Sequence, residues 1–370
     1  MPITLPHMAI PKIDTNNIKN FVSRYLKFSP QKPAESEPLR RTGLNIGRSS
    51  LTACEIVWRE NQPVLERCAR KQIVPDQPLA DQIKNFFSEA GFKSKRVSIS
   101  LKGQGVVIRF LSFPKMSRSD FSSSIRYEAE KYLPFSLSDV IFDYHMVETP
   151  VSSQEEGTMS VILTAARKTE IERLIQTLQT AGLKPDLIDI DILACVNAFQ
   201  FANPDAKNHC VGLIDLGATD SSFGILNKGT LTFSRDIAFG GADLTEMIHR
   251  KSNISHEAAF ELQAKLDKSQ ADQAASIEEG LGRLFQEIKS SITYYYNQHQ
   301  GAAPLETIYI SGGFSQLATL SDLLEKQLEL PVKTWNAVAQ IKLGEQIDKN
   351  LVNELNPYLP VCIGLAIRPR

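Results

Sequence analysis

Residues 42–57 read TGLNIGRSSLTACEIV, and residues 211–226 read VGLIDLGATDSSFGIL. Each is an apolar strand, a glycine (Gly47, Gly217), a turn of small and hydroxylated residues, and a second apolar strand. The first turn carries Arg48, Ser49 and Ser50; the second carries Ala218, Thr219, Ser221 and Ser222. Glycine lets a turn's backbone approach a ligand closely. Successive turn N–H groups, joined by hydroxyls, form a concavity suited to phosphate oxygens. One such hairpin is an ordinary turn. Two of them, this far apart, suit duplicated lobes that grip one nucleotide's phosphates from opposite sides.

A third stretch narrows the reading. TIYISGGFSQLATLSDLLEKQL (307–328) runs from a strand into Gly312-Gly313 and Phe314, then into an amphipathic helix. A strand feeding a double glycine and a helix N-terminus makes a platform for a flat base or a phosphate.

The bulk properties agree with two lobes, since 370 residues exceed one ordinary core. The formal net charge of −1 gives no basic surface for nucleic acid. Cys54, Cys68, Cys195, Cys210 and Cys362 lack metal spacing and read as small buried hydrophobes in a reducing compartment. The six histidines are equally scattered, which argues against zinc. No run approaches the ~18 apolar residues of a membrane span, and LPVCIGLAI (359–367) reads as a buried helix or strand. No signal peptide opens the chain, so a cytoplasmic protein is expected unless something tethers it.

Residues 1–41 stand apart. In TNNIKNFVSRYLKF (15–28), Ile18, Phe21, Val22, Tyr25 and Leu26 share one helical face opposite Lys19, Arg24 and Lys27. Such a helix suits anionic lipid or packing against a protein surface. A proline- and charge-rich linker follows. From Thr42 onward strands and helices alternate, which makes the class α/β.

These motifs together resemble the actin-like ATPase superfamily, with its two-lobed, ribonuclease H-like fold. The hairpins match its two phosphate motifs, and the strand-Gly-Gly-helix matches its adenosine motif. ILACVNAFQ (192–200) and LFQEIKSSITYYYNQ (284–298) match its connecting helices, and FGGADLTEMI (239–248), with Gly240 and Gly241, its second glycine pair. Glu261 and Lys265 fall near its acid–lysine pair beside the ribose.

Within the superfamily, SIRYEAEKYLPFSLSDVIFDYHMV (124–147) and TAGLKPDLIDIDILACVNAF (180–199) are similar to the PilM-like branch, the actin-like proteins of type IV pilus assembly. That resemblance implies a first lobe over 42–205, a small FtsA-like subdomain inserted at about 95–166, and a second lobe over 206–370. The segment from about 345 is expected to return to the first lobe. It also implies ATP between the lobes, and a groove involving the insertion that docks the cytoplasmic tail of a PilN-like bitopic inner-membrane protein. The protein would then lie peripheral to that membrane, through its partner.

In active members an aspartate in the first hairpin helps hold hydrated magnesium. Asn45 stands there instead and brings no charge. Magnesium prefers anionic oxygen, so hydrolysis should suffer more than binding, leaving a slow ATPase at most. Asp215 serves the metal or the attacking water, or else bonds its own turn. Arg48 meets the phosphates or faces solvent. The competing readings are an FtsA-like filament protein and a small-molecule kinase of the same superfamily.

Overall fold

The computed structural model describes residues 39–147, 157–265, 271–299 and 301–368. The expected N-terminal helix lies outside them, as does the linker as far as residue 38; the last residues assigned to that linker, Leu39–Arg41, open a strand instead. Strands β1 (Leu39–Ile46), β2 (Ser50–Arg59) and β3 (Gln62–Gln72) form an antiparallel meander. Strands β4 (Arg96–Leu101) and β8 (Lys184–Ile190) extend it by parallel pairing, β4 on β1 and β8 on β4. Helix α1 (Leu79–Glu89) buries Ile83, Phe86 and Phe87 and ends before Gly91, whose φ of 67° an L side chain rarely adopts.

The second lobe repeats the plan. Strands β9 (Cys210–Leu216), β10 (Ser221–Asn227) and β11 (Thr230–Ile237) form the meander, and β12 (Thr307–Ser311) and β13 (Val332–Thr334) add in parallel. The sheet orders are β3-β2-β1-β4-β8 and β11-β10-β9-β12-β13, the same topology twice. Even the outer turns agree. Glu60-Asn61 and Lys228-Gly229 both have positive φ at the two central residues, which matches the twist of the flanking strands. This duplication is the expected actin-like ATPase fold.

Between β4 and β8 lies a three-stranded sheet of order β5-β7-β6, formed by β5 (Val106–Pro114), β6 (Val140–Val147) and β7 (Thr158–Arg167). Helix α2 (Arg118–Ala129) buries Phe121, Ile125 and Ala129 against it, and Ser117 caps the helix by accepting the Asp120 N–H. The expected boundary near 95 is corrected here. Residues 96–101 pair inside the first-lobe sheet, so the inserted sheet begins at Val106. Helix α3 (Lys168–Thr180) leads back to β8.

Helix α4 (Asp191–Ala202) carries the chain into the second lobe, where α5 (Gly241–Ser252), α6 (His256–Lys265), α7 (Ala271–Gln298) and α8 (Leu320–Leu328) pack. The chain then turns back. Strand β14 (Lys342–Leu343) pairs with β3, at the far edge of the first sheet. Helix α9 (Lys349–Leu355) precedes α10 (Pro360–Ile367), the buried LPVCIGLAI stretch, which is buried along its whole length.

The partner of α4 is α10, which lies between α4 and β1, and not residues 284–298. Those belong to α7, whose Leu284, Phe285, Ile288 and Tyr295 fill the second-lobe core. The reason is a steric fit: Gly364 brings the α10 backbone against Ala194, where a Cβ would lie 1.7 Å from the carbonyl oxygen. All five cysteines are free and buried. No helix among the described residues is long and apolar enough to cross a membrane.

Candidate functional site

Asn45 and Asp215 occupy the same place, the next-to-last residue of β1 and of β9. Each is followed by a glycine-bearing loop, and both loops face one cleft of about 730 Å³ between the lobes. That volume is in the usual range for a small-molecule site. Asn45, Gly47, Arg48, Ser49 and Ser50 line one wall; Asp215, Gly217, Ala218 and Thr219 line the other. Gly241, Gly312, Gly313 and Phe314 complete the second-lobe side. Among the described residues, the N–H groups of Arg48, Ser49, Ala218 and Thr219 have no backbone partner.

Each loop is shaped by close backbone approach. The Gly47 N–H donates to the Ser50 carbonyl at 2.9 Å, and the Gly217 N–H to the Asp220 carbonyl at 3.2 Å. The second loop is further held by the start of α5. The N–H groups of Gly241 and Ala242 donate to the Gly217 and Ala218 carbonyls at 3.1 and 2.7 Å. Gly240 is buried and lies outside the cleft lining; a Cβ on it would sit 2.5 Å from the Ala218 carbonyl. Its role is therefore to let α5 press on the loop.

The adenosine-type turn differs from expectation in one respect. Gly312-Gly313 leads into a 3₁₀ turn (Gly313–Gln316), and α8 starts only at Leu320. Gly312 has φ 88°, and a Cβ there would meet Leu216 backbone at 2.2 Å. A Cβ on Gly313 would meet the Tyr358 ring at 2.5 Å. The glycine pair thus lets β12, β9 and the Asn356–Tyr358 turn converge.

Two further expected residues do not line the cleft. Ser221 is fully buried, and its hydroxyl donates to the Phe239 carbonyl at 2.8 Å, so it fastens the hairpin and offers nothing to a ligand. Glu261 is an exposed residue of α6 away from the lining. Lys265 closes the same helix, and its side chain lies outside the described residues. From α6 it is His256, Phe260 and Gln263 that reach the cleft.

Sequence reading missed two cations. The Arg70 guanidinium lies 4.0 Å over the Tyr358 ring, with its Nε buried and unpartnered, and both residues line the cleft. Lys102, the residue after β4, places its ammonium 2.5 Å from Asp220 and 3.9 Å from Asp191. Neither stands in a motif; only strand pairing brings β3 and β4 beside the hairpin. Burial pushes the Asp220 carboxyl up, but Lys102, the Thr219 hydroxyl and Arg48 more than offset this and hold it below the ordinary range. Arg48, on the first hairpin, thus acts on Asp220 of the second. Burial pushes the Asp215 carboxyl up, against Lys102 and the Ser311 hydroxyl, which donates at 3.3 Å.

A family model described as "Type IV pilus assembly protein PilM" matches residues 43–370. The chain belongs to the PilM family. A solved PilM-PilN type IV pilus biogenesis complex is similar to it at TM-score 0.78 and 27% identity, covering 90% of this chain and 99% of that one. The ethanolamine utilization protein EutJ of Carboxydothermus hydrogenoformans shares the fold at TM-score 0.53 and 11% identity, over 95% of this chain and 99% of that one. The cell division protein FtsA of Bacillus subtilis is 30% identical over 128 residues, which cover 35% of this chain and 28% of FtsA. The PilM-family match begins at the first hairpin, one residue after Thr42, where the resemblance was expected to begin.

Proposed function

We propose that this PilM-family chain is an ATP-binding scaffold of the type IV pilus inner-membrane assembly, with slow hydrolysis or none. A single observation carries the nucleotide part: two hairpin loops with unpartnered N–H groups and a strand-Gly-Gly turn all face one cleft. Arg48, Ser49 and Ser50 would hold phosphate oxygens from one side, and Ala218 and Thr219 from the other. Phe314 and Phe260 offer apolar surface for the base. A bound triphosphate supplies negative charge that bridges the lobes. Asn45 leaves the first hairpin without a carboxylate, so Asp215 alone would orient an attacking water. Burial and the Ser311 hydrogen bond hold it in place for that task.

Titration of ATP into the purified chain, followed by phosphate release, tests this reading. Binding with release slower than about one turnover per minute, far below the usual enzyme range, is expected. Brisk release abolished by Asp215→Ala overturns the pseudo-enzyme part; no binding overturns the whole.

The similar PilM-PilN complex supports a PilN-like partner; in our reading that partner is a bitopic membrane protein whose cytoplasmic tail docks at the inserted sheet. Membrane association would come through that partner. The sheet leaves β5 as an open edge facing β11 across a hollow of about 480 Å³, lined by Phe110, Leu111, Phe233 and Tyr294. An extended tail can add to such an edge by backbone hydrogen bonds. Hydrogen exchange with a tail peptide should protect residues 106–114; protection confined to other segments moves the groove elsewhere.

A further inference from the structure

The cleft floor carries more charge than gripping phosphate requires. The Lys102 ammonium contacts Asp220, lies near Asp191, and is within electrostatic reach of Asp215. It also lies 3.4 Å from where a Cβ on Gly217 would be, which puts it at the turn of the second phosphate hairpin. Burial disfavours its charge, yet the three acids outweigh burial and keep the amine protonated well above the ordinary lysine range.

The residues here do not fit a magnesium ion. Asn45 is neutral, and Asp191 and Asp220 already face a fixed cation. Asp215 accepts from Ser311. Among the described residues, no three carboxylates, histidines or cysteines converge to hold a metal. A divalent ion at this point would stand beside an ammonium in a partly desolvated site, where like charges repel strongly.

We propose that Lys102 is the resident counter-ion of the cleft, so that a nucleoside triphosphate binds nearly independently of divalent metal. The inference rests on the nucleotide reading above. An ammonium has three donors, so Lys102 can meet phosphate oxygens while keeping one carboxylate. It binds phosphate as a point charge, and it does not lower the pKa of a water as a bound metal does. The exchange of metal for lysine would hold the triphosphate and leave it uncleaved.

The test is ATP titration of the full chain in magnesium and in excess EDTA, for the wild type, Lys102→Met and Lys102→Arg, with folding checked by circular dichroism. Wild-type affinity should change less than about threefold on chelation, well under 1 kcal/mol. Lys102→Met should lose about tenfold or more in EDTA, the scale of one charged hydrogen bond, and Lys102→Arg should keep most of the affinity. Wild-type binding that falls tenfold in EDTA overturns the proposal, as does Lys102→Met binding like the wild type. The wild-type comparison stands even if the methionine variant fails to fold. Absence of wild-type binding in both buffers instead removes the nucleotide reading itself.

Discussion

At Gly217 one methyl group is enough to disturb the cleft, because a Cβ would lie 2.4 Å from the Asp220 carbonyl. Gly217→Ala should therefore displace the loop and weaken ATP binding at least about tenfold, the loss of one or two backbone hydrogen bonds, with the melting temperature lowered only slightly. Unchanged affinity by titration would count against the loop. Asp191 gives a pH-dependent signature. It is 5% exposed, and burial pushes its carboxyl up to about 6, against Lys102 and Ser100, from an ordinary 3.8. The native state thus holds this proton more tightly than the unfolded chain does. The resulting stability is full below 3.8 and is lost as pH rises through about 6. Asp191→Asn keeps a neutral side chain there, so its stability relative to wild type should rise by about 1–3 kcal/mol between pH 4 and 7. Urea melts across that range would show it; a flat difference denies it.

Among the elements, α10 is the one most tightly constrained by shape. Gly364 meets the Ala194 carbonyl, and a Cβ on Gly43 of β1 would lie 1.8 Å from the Cys362 carbonyl. Gly364→Ala should cost about 1–3 kcal/mol or more in a denaturant melt, since overpacking forces the backbone apart. The helix is followed by Arg368, which is buried and ion-paired with the equally buried Asp189 of β8. Arg368→Met strands a buried carboxylate and should cost about 3–5 kcal/mol; a loss within experimental error would show that water reaches Asp189. Sequence periodicity made the strands, the hairpins and most helices legible, because an apolar pattern reports local burial. It left α10 open between helix and strand, because a segment buried on every side has no polar face to set its period. The superfamily resemblance matched residues 284–298 to a connecting helix, since an apolar stripe does not say which sheet it covers. Lys102 and Arg70 were invisible for a related reason: each reaches the cleft from a different strand, and only the sheet order unites them.

Across the whole molecule, one core cluster draws on β2, α4, β9 and α10, so apolar packing is continuous from lobe to lobe. Calorimetry should accordingly show one cooperative transition for the described body, raised by ATP. At a hundredfold excess over Kd the ligand adds about 2.7 kcal/mol. Two separated transitions, only one of them ATP-sensitive, would mean that the lobes fold independently. The duplication and the cleft were readable from two hairpins and a glycine pair. The crossing of the chain back into its first lobe was only roughly placed, since the β14–β3 pairing at Lys342 precedes the expected return near 345.

That crossing has a consequence for biosynthesis. The sheet that starts at Leu39 has its outer strand β3 covered by residues 342–343, and its inner face packed by residues 360–367. On the ribosome the first lobe must therefore wait, with an uncovered sheet edge and exposed apolar surface, until residues 342–367 have emerged. Chaperone engagement during translation should fall on residues 39–72, long after they have been made.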